Sequence, residues 1–454
     1  MPEKIKGRDL AYEVLLELEK NGGKADALLR GTADKQTAAD PRELAFFRRL
    51  SEGVIERQIT LDYVIDLFAS TKTAKMKRPV RILLRMGVYQ ILYMDTVPDR
   101  AAVDETVKLA VRKGLSGLRG FINGVLRSVA AGRAEIRYPD REKDAAAFLS
   151  VAYSMPEWIT KRFLEQYSYD RTERILAACL TDRPLSVCLT KAADEEKLTA
   201  LWKAQGVTAE QSPYTDRNFY LKGTQGVGRL AGYAEGAFFV QDVSATLAVC
   251  CAGIRRNDTV VDVCAAPGGK SIRAAEAAGS GGCVYAFDLT ERKTALIREN
   301  AGRLHLPQIK AGEQDARVLR EELRECADVV IADLPCSGLG VLGRKSDIRY
   351  RVRPEDILSL QTLQRQILHT AVGYLKPGGV LLYSTCTVSP EENDENRKWL
   401  AEQEGLSPES ITEYLPEVLQ GDTTDQGFLQ IVSGEPEGMP VLDGFYIARF
   451  RKER

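Results

Sequence analysis

An aspartate and two cysteines are the residues of this chain best placed to do chemistry together. Asp333, in Ile331-Ala-Asp-Leu-Pro-Cys-Ser-Gly-Leu-Gly340, closes an apolar run and stands just ahead of the thiol of Cys336. Cys386 follows a second apolar run, Gly378-Gly-Val-Leu-Leu-Tyr-Ser384, fifty positions farther on. A thiol can attack an electrophilic carbon or hold a proton, and a carboxylate can orient a polar substrate. A free cysteine is more often a small apolar core residue. Two thiols at the ends of two such runs, one beside Asp-Leu-Pro, point instead to a site.

The runs have the composition of strands buried on both faces, and in open α/β sheets ligands bind at the carboxyl edge of the strands. Residues 327–332 and 378–384 are therefore expected as neighbouring parallel strands. Pro335 stops the first, and Gly338 and Gly340 let the backbone bend close to a ligand. Upstream, residues 259–264 read as a strand that passes into Ala265-Ala-Pro-Gly-Gly-Lys-Ser271 and an alanine-rich helix, bringing N–H groups at a helix N-terminus against a carboxylate or phosphate. The next strand, residues 282–287, ends at Asp288, twenty positions beyond Gly268, the place from which an acid accepts the ribose hydroxyls of a nucleoside cofactor. A third strand runs to Asp315, whose carboxylate could address an adenine amino group. The glycines follow neither GxGxxG nor the Walker spacing, because Cys264 stands where the first Walker glycine belongs. S-adenosylmethionine, a nucleoside with an amino-acid tail, fits Asp262, the glycine turn, Asp288 and Asp315 better.

At 454 residues the chain is long enough for two or three domains. No apolar run approaches the ~18–20 residues of a membrane span, and the opening residues do not form a signal peptide, so a cytoplasmic protein is expected. Nine cysteines, an odd number, argue for reduced thiols, and no CxxC pair or Cys/His cluster offers a metal site. Only His305 and His369 are present, which disfavours histidine acid/base chemistry. The net charge of −1 hides a division: residues 1–130 hold 23 Lys/Arg against 17 Asp/Glu. Lys72, Lys75, Lys77, Arg78, Arg81 and Arg85 run without an acid among them, and Arg344, Lys345, Arg349, Arg351 and Arg353 follow the Cys336 turn. Charge runs are usually solvated faces, but clustered Lys/Arg is also the footprint of phosphate binding.

Residues 1–135 read as all helix, with Leu10, Val14, Leu15 and Leu18 on one face and Pro79 opening another helix. Arg78 and Arg81 are expected to face one phosphate strand. Residues 136–236 form a small α+β connector, with a helix near 194–205 and cysteines (Cys179, Cys188) that read as core, as do Cys250 and Cys251. Residues 237–454 alternate strands and helices as a doubly wound parallel sheet does.

Several stretches together resemble one family: Val261-Asp-Val-Cys-Ala-Ala-Pro-Gly-Gly-Lys-Ser271, Asp333 to Gly340, Ser384-Thr-Cys-Thr387 with Pro390-Glu-Glu-Asn393, and Asp443-Gly-Phe-Tyr446. They are similar to the RNA cytosine-5 methyltransferases of the NOL1/NOP2/Sun group. Arg8-Asp-Leu-Ala-Tyr12, the stretch from Arg78 to Gly87 and Phe121-Ile-Asn-Gly-Val-Leu-Arg127 resemble a NusB-like RNA-binding domain, found in the bacterial 16S rRNA branch of that group. The resemblance implies a multidomain chain: an α-helical NusB-like domain, the α+β connector, and a Rossmann-like class I methyltransferase domain. It implies a monomer that transfers a methyl group from S-adenosylmethionine to cytosine C5 of 16S rRNA. Cys386 would attack C6, Cys336 would assist release, and Asp333 would hold the base. Cofactor contacts would come from Cys264, Ala265, Ala266, Pro267, Gly268, Gly269, Lys270, Asp288, Arg292, Lys293, Asp315 and Asp333. A tRNA substrate, or a non-catalytic RNA-binding assembly factor, remain alternatives.

Overall fold

The computed structural model describes residues 6–36, 40–224 and 226–453. The chain divides into two compact units, one running to Leu180 and including Leu342–Arg351, the other comprising Thr181–Val341 and the residues from Val352 onward.

The first unit is helical: α1 (Gly7–Asn21), α2 (Ala25–Asp34), α3 (Pro41–Glu56), α4 (Gln58–Phe68), α5 (Arg78–Tyr93), α6 (Asp99–Arg112), α7 (Arg119–Gly132), α8 (Ala145–Tyr153), α9 (Glu157–Gln166) and α10 (Tyr169–Ala178). Apolar spacing sets the packing. Val80, Leu83, Leu84, Val88 and Ile91 of α5 join Val14 and Leu15 of α1 in one core, and Pro79 sits in the first turn, where its missing N–H costs nothing. The unit continues past residue 135 because α8 docks on α4. Thr60 Oγ1 donates to the Val151 carbonyl at 2.6 Å, and Ser154 Oγ accepts from the Ile59 N–H at 3.0 Å.

Both basic runs are partly spent inside this unit. The Arg85 guanidinium is buried against both Asp62 oxygens, at 2.7 and 2.6 Å, and lies 3.1 Å from Glu19. Arg81 also pairs with Glu19 and donates to the Thr73 carbonyl. Arg81 therefore does not share a phosphate-facing surface with Arg78: the half-buried Glu19 carboxylate draws it inward, while Lys75, Lys77 and Arg78 stay exposed. Ile348–Arg351 is a single helical turn in which Arg349 is fully buried, donating to the carbonyls of Ser154 at 3.1 Å, Glu56 at 3.3 Å and Leu342 at 2.9 Å. Arg351 pairs with Asp347 at 3.0 Å.

The second unit opens with a four-stranded antiparallel sheet, β1 (Leu185–Leu189), β2 (Thr208–Gln211), β3 (Asn218–Lys222) and β4 (Phe238–Val240), in the order β2-β3-β1-β4. Against it packs α11 (Glu195–Ala204), where Asp194 accepts from the Lys197 N–H as N-cap and Trp202 meets Phe238 edge-on.

The large sheet holds β5 (Thr259–Asp262), β6 (Cys283–Asp288), β7 (Ile309–Glu313), β8 (Ala327–Asp333), β9 (Leu375–Thr385), β10 (Leu406–Pro408), β11 (Phe428–Ile431) and β12 (Phe445–Lys452). Its order is β10-β12-β9-β8-β5-β6-β7, with β11 beside β12. The strands from β9 to β7 are parallel, as the alternating pattern predicts. The sheet is not parallel throughout: β12 runs antiparallel to β9, β10 and β11. Its first residues lie beside Thr385, because the chain returns at the carboxyl edge of β9 and can pair only by running back along it. Alternate residues serve opposite faces. Val260, Val284, Val329 and Ile331 pack toward α12 (Val243–Cys251) and α13 (Gly269–Ala278), while Val261, Phe287, Val330 and Ala332 pack toward the long helix Pro354–Tyr374.

Candidate active site

The register of β8 on β9 sets Asp333 opposite Ser384, so both strands end at one edge. One Asp333 oxygen accepts from Ser384 Oγ at 2.7 Å and the other from Lys270 Nζ at 2.7 Å. Lys270 reaches this point from the first turn of α13, which starts where Gly268 takes φ +107, a conformation suited to glycine. Its ammonium also lies 5.4 Å from the centroid of the Phe445 ring. Burial opposes that charge, but Asp333, Asp262 and Cys386 outweigh it and hold the pKa above that of an ordinary lysine.

Beyond the strand ends the two thiols meet, with Cys336 Sγ 3.3 Å from Cys386 Sγ and no disulfide between them. Backbone contacts hold their loops together. The Gly340 N–H donates to the Cys386 carbonyl at 3.0 Å, and the Gly444 N–H donates to the Gly340 carbonyl at 2.8 Å. A Cβ on Gly340 would lie 2.0 Å from the Gly444 carbonyl oxygen, so only glycine permits this crossing. The neighbouring thiol, then burial, push the Cys336 pKa well above its usual value.

The remaining carboxylates take distinct positions. Asp288 accepts from the Ala266 N–H at 3.0 Å and, through its other oxygen, from the Leu289 N–H and Lys293 Nζ, both at 2.8 Å. Asp315 is gripped by Arg317 at 2.7 Å, and this hydrogen-bonded partner lowers its pKa to about 2. Asp262 lies fully buried beneath the turn, accepting from Ser271 Oγ at 2.7 Å, and burial pushes its carboxyl up to about 7.

A cavity of about 560 Å³ opens along this edge, lined by Val263, Cys264, Ala266, Asp288, Leu289, Lys293, Gln314, Asp315, Ala316, Arg317, Asp333, Leu334, Pro335, Leu363 and Ile367. Of the expected cofactor residues, Cys264, Ala266, Asp288, Lys293, Asp315 and Asp333 line it. Ala265 and Gly268 close the turn behind it, the Gly268 N–H donating to the Ala265 carbonyl at 2.7 Å, and the Pro267 carbonyl accepts from Asn300. Gly269 begins α13, Lys270 turns to Asp333, and Arg292 is exposed and outside the lining. Sequence reasoning missed Leu363 and Ile367, one helical turn apart, whose spacing reads as core. It also missed Ser384 and Glu392 as individuals, although both lie in the motif strings. Cys179, Cys188 and Cys251 are buried as core, while Cys250 is half-buried and lines a separate cavity of about 430 Å³. Among the described residues, no group of three or more His, Cys, Asp or Glu could hold a metal ion, and no helix is long and apolar enough to cross a membrane.

Comparison with known proteins adds family relationships. A family model described as 16S rRNA methyltransferase RsmB/F matches residues 250–451, and the NusB family model matches residues 6–131. The probable ribosomal RNA small subunit methyltransferase B of Bacillus subtilis is 34% identical over 459 residues, covering 99% of this chain and 100% of the relative. The ribosomal RNA small subunit methyltransferase B of Cronobacter sakazakii is 31% identical over 459 residues, with 100% of both chains covered. Among solved structures, PH0851 superposes with a TM-score of 0.80 at 23% identity, covering 99% of this chain and 100% of that one. NSun6 from Pyrococcus horikoshii with SFG gives a TM-score of 0.57 at 19% identity, over 66% of this chain and 98% of that one.

Proposed function

The chain belongs to the RsmB/F family of 16S rRNA methyltransferases, and from that premise we propose that it methylates C5 of a cytosine in 16S rRNA through a covalent Cys386–C6 adduct. The observation that carries this reading is the pair of thiols 3.3 Å apart, set beside the Lys270–Asp333 ion pair.

The cofactor is S-adenosylmethionine, and the cavity suits it. Asp288 keeps acceptor capacity for ribose hydroxyls, Leu334, Leu363 and Ile367 offer an apolar surface for adenine, and Gln314 and Asp315 supply polar atoms for its edge. When bound, S-adenosylmethionine supplies an electrophilic methyl group.

Cytosine C5 is a poor nucleophile until a group adds at C6, and a thiolate is suited to that addition. Lys270 presents a positive charge that interacts with Cys386, which favours the sulfur anion there. Asp333, already holding Lys270 and Ser384, has lone pairs left to accept from the cytosine N4 amino group. Once C5 is methylated, Cys336, as the base or through one, takes the C5 proton; the C5–H electron pair re-forms the C5–C6 double bond, and the Cys386–C6 bond breaks with its electrons returning to the Cys386 sulfur as thiolate. The base must be unpaired or splayed from its stack to reach the thiol.

The test is methyl transfer from S-adenosylmethionine to purified 16S rRNA, with tRNA in parallel, followed by nucleoside mass spectrometry. 5-Methylcytidine in the rRNA alone supports the reading. Label in tRNA alone, a different methylated nucleoside, or no label in either RNA overturns it.

A further inference from the structure

Glu392 is a buried carboxylate that organises the loops of both thiols. Its Oε1 accepts from the Ser337 N–H at 2.9 Å and from Gln364 Nε2 at 3.0 Å, while Oε2 accepts from Ser337 Oγ at 2.5 Å. Ser337 Oγ lies 2.7 Å from Thr387 Oγ1, which in turn accepts from the Ser389 N–H at 3.3 Å. Only one direction gives each of these hydroxyl protons an acceptor: Thr387 donates to Ser337, and Ser337 donates to Glu392. The chain therefore ends on the Glu392 oxygens as acceptors; burial pushes the pKa of this carboxyl up, while the donors from Ser337 and Gln364 favour its ionised form. Ser337 follows Cys336 and Thr387 follows Cys386, so one hydrogen-bonded chain joins the two loops. Gln364 Nε2 also donates to the Pro335 carbonyl at 2.9 Å, and its own oxygen accepts from Asn396 Nδ2 at 2.8 Å, which fixes the amide's orientation.

Glu392 bonds directly to the N–H and hydroxyl of Ser337, the residue after Cys336, and Ser337 in turn meets Thr387 beside Cys386, so its carboxylate is placed on the Cys336 loop. The Lys270 ammonium, held on Asp333 at the strand edge, interacts with Cys386. Two sulfurs 3.3 Å apart do not both ionise readily, so whichever side meets the cation carries the anion.

We propose that Glu392 is a positioning residue that keeps the two thiols unequal, tying their loops through Ser337 and Thr387 and placing its negative charge on the Cys336 side so that Cys386 is the attacking sulfur. This rests on the assignment of attack to Cys386.

The test uses the full-length protein and iodoacetamide, with alkylation of each cysteine followed by peptide mass spectrometry across pH, and needs neither RNA nor cofactor. In the wild type Cys386 is alkylated faster than Cys336 near neutral pH. Glu392→Gln keeps an acceptor for Ser337 and removes the charge; it is expected to raise the Cys336-to-Cys386 labelling ratio at least about threefold and to shift the Cys336 profile to lower pH. Equal labelling in the wild type, or an unchanged ratio in a folded Glu392→Gln protein, overturns the proposal. Should Glu392→Gln fail to fold, Ser337→Ala breaks the hydroxyl link and keeps the carboxylate: kcat is expected to fall with KM for RNA unchanged, and a wild-type kcat overturns the proposal. Faster labelling of Cys386 that responds to Glu392→Gln, in a protein that methylates no rRNA, supports the proposal while the assigned reaction falls; faster labelling of Cys336 in the wild type overturns it.

Discussion

Lys270 Nζ and Asp333 Oδ2 lie 2.7 Å apart, bridging the first turn of α13 and the end of β8. In the proposed mechanism this pair supplies an ammonium that acts on Cys386 and a carboxylate that holds the base. Lys270→Met should lower kcat by about 10²–10³, the usual loss when one electrostatic contact to the reacting centre is removed. Steady-state kinetics on 16S rRNA measure it, and an unchanged kcat contradicts the role.

Asp262 supplies a pH test of the fold beneath the site. Its carboxyl is pushed up to about 7 by burial, against about 4 in an unfolded chain. Between those values the folded protein holds a proton that the unfolded chain has released, so the group's contribution to stability falls as pH rises from about 4 to 7. Asp262→Asn lacks that dependence. The Tm of wild type minus that of Asp262→Asn is expected to shrink across this window, and a difference that grows or stays constant contradicts the assignment.

Gly340 is held between two backbone segments, and an added Cβ would meet the Gly444 and Cys386 carbonyl oxygens at 2.0 and 2.9 Å. Gly340→Ala should therefore cost about 1–3 kcal/mol of stability and separate the thiol loops. Stability to denaturant and kcat should fall together; a stable, fully active variant would show that the crossing is not needed.

The basic stretch of the helical unit separates into two kinds of residue. Replacing the exposed Lys75, Lys77 and Arg78 by Ala is expected to weaken RNA binding and reduce the log–log salt slope by up to about 0.7–0.9 for each phosphate no longer neutralised, with Tm unchanged. Arg85→Met strands Asp62 and leaves Glu19 with Arg81 alone, and should destabilise the unit by about 3–5 kcal/mol. Binding curves at several salt concentrations and thermal melts distinguish the two. A triple variant that melts early, or an Arg85→Met that does not, contradicts the division.

Much of this architecture is legible in the order of residues alone. The apolar runs around Val261, Phe287, Val330 and Leu382 mark the parallel strands, and acids at their ends mark the edge that carries the cavity. The antiparallel course of β12 is not legible, since an apolar run reads alike in either direction. The inward turns of Arg81 and Arg349 are hidden too, because a charge run does not say which members find a carboxylate or carbonyl partner. Glu392 lies in plain view within Pro390-Glu-Glu-Asn393, but its partners Ser337 and Gln364 come from distant segments that only the folded chain assembles.

The central claim is that Cys386 attacks and Cys336 releases. Wild type, Cys336→Ala and Cys386→Ala should each be incubated with 16S rRNA and S-adenosylmethionine and run on a denaturing gel. A persistent protein–RNA band is expected with Cys336→Ala and none with Cys386→Ala. A band with Cys386→Ala would reverse the roles, and methylation by Cys386→Ala at the wild-type rate would contradict the covalent mechanism itself.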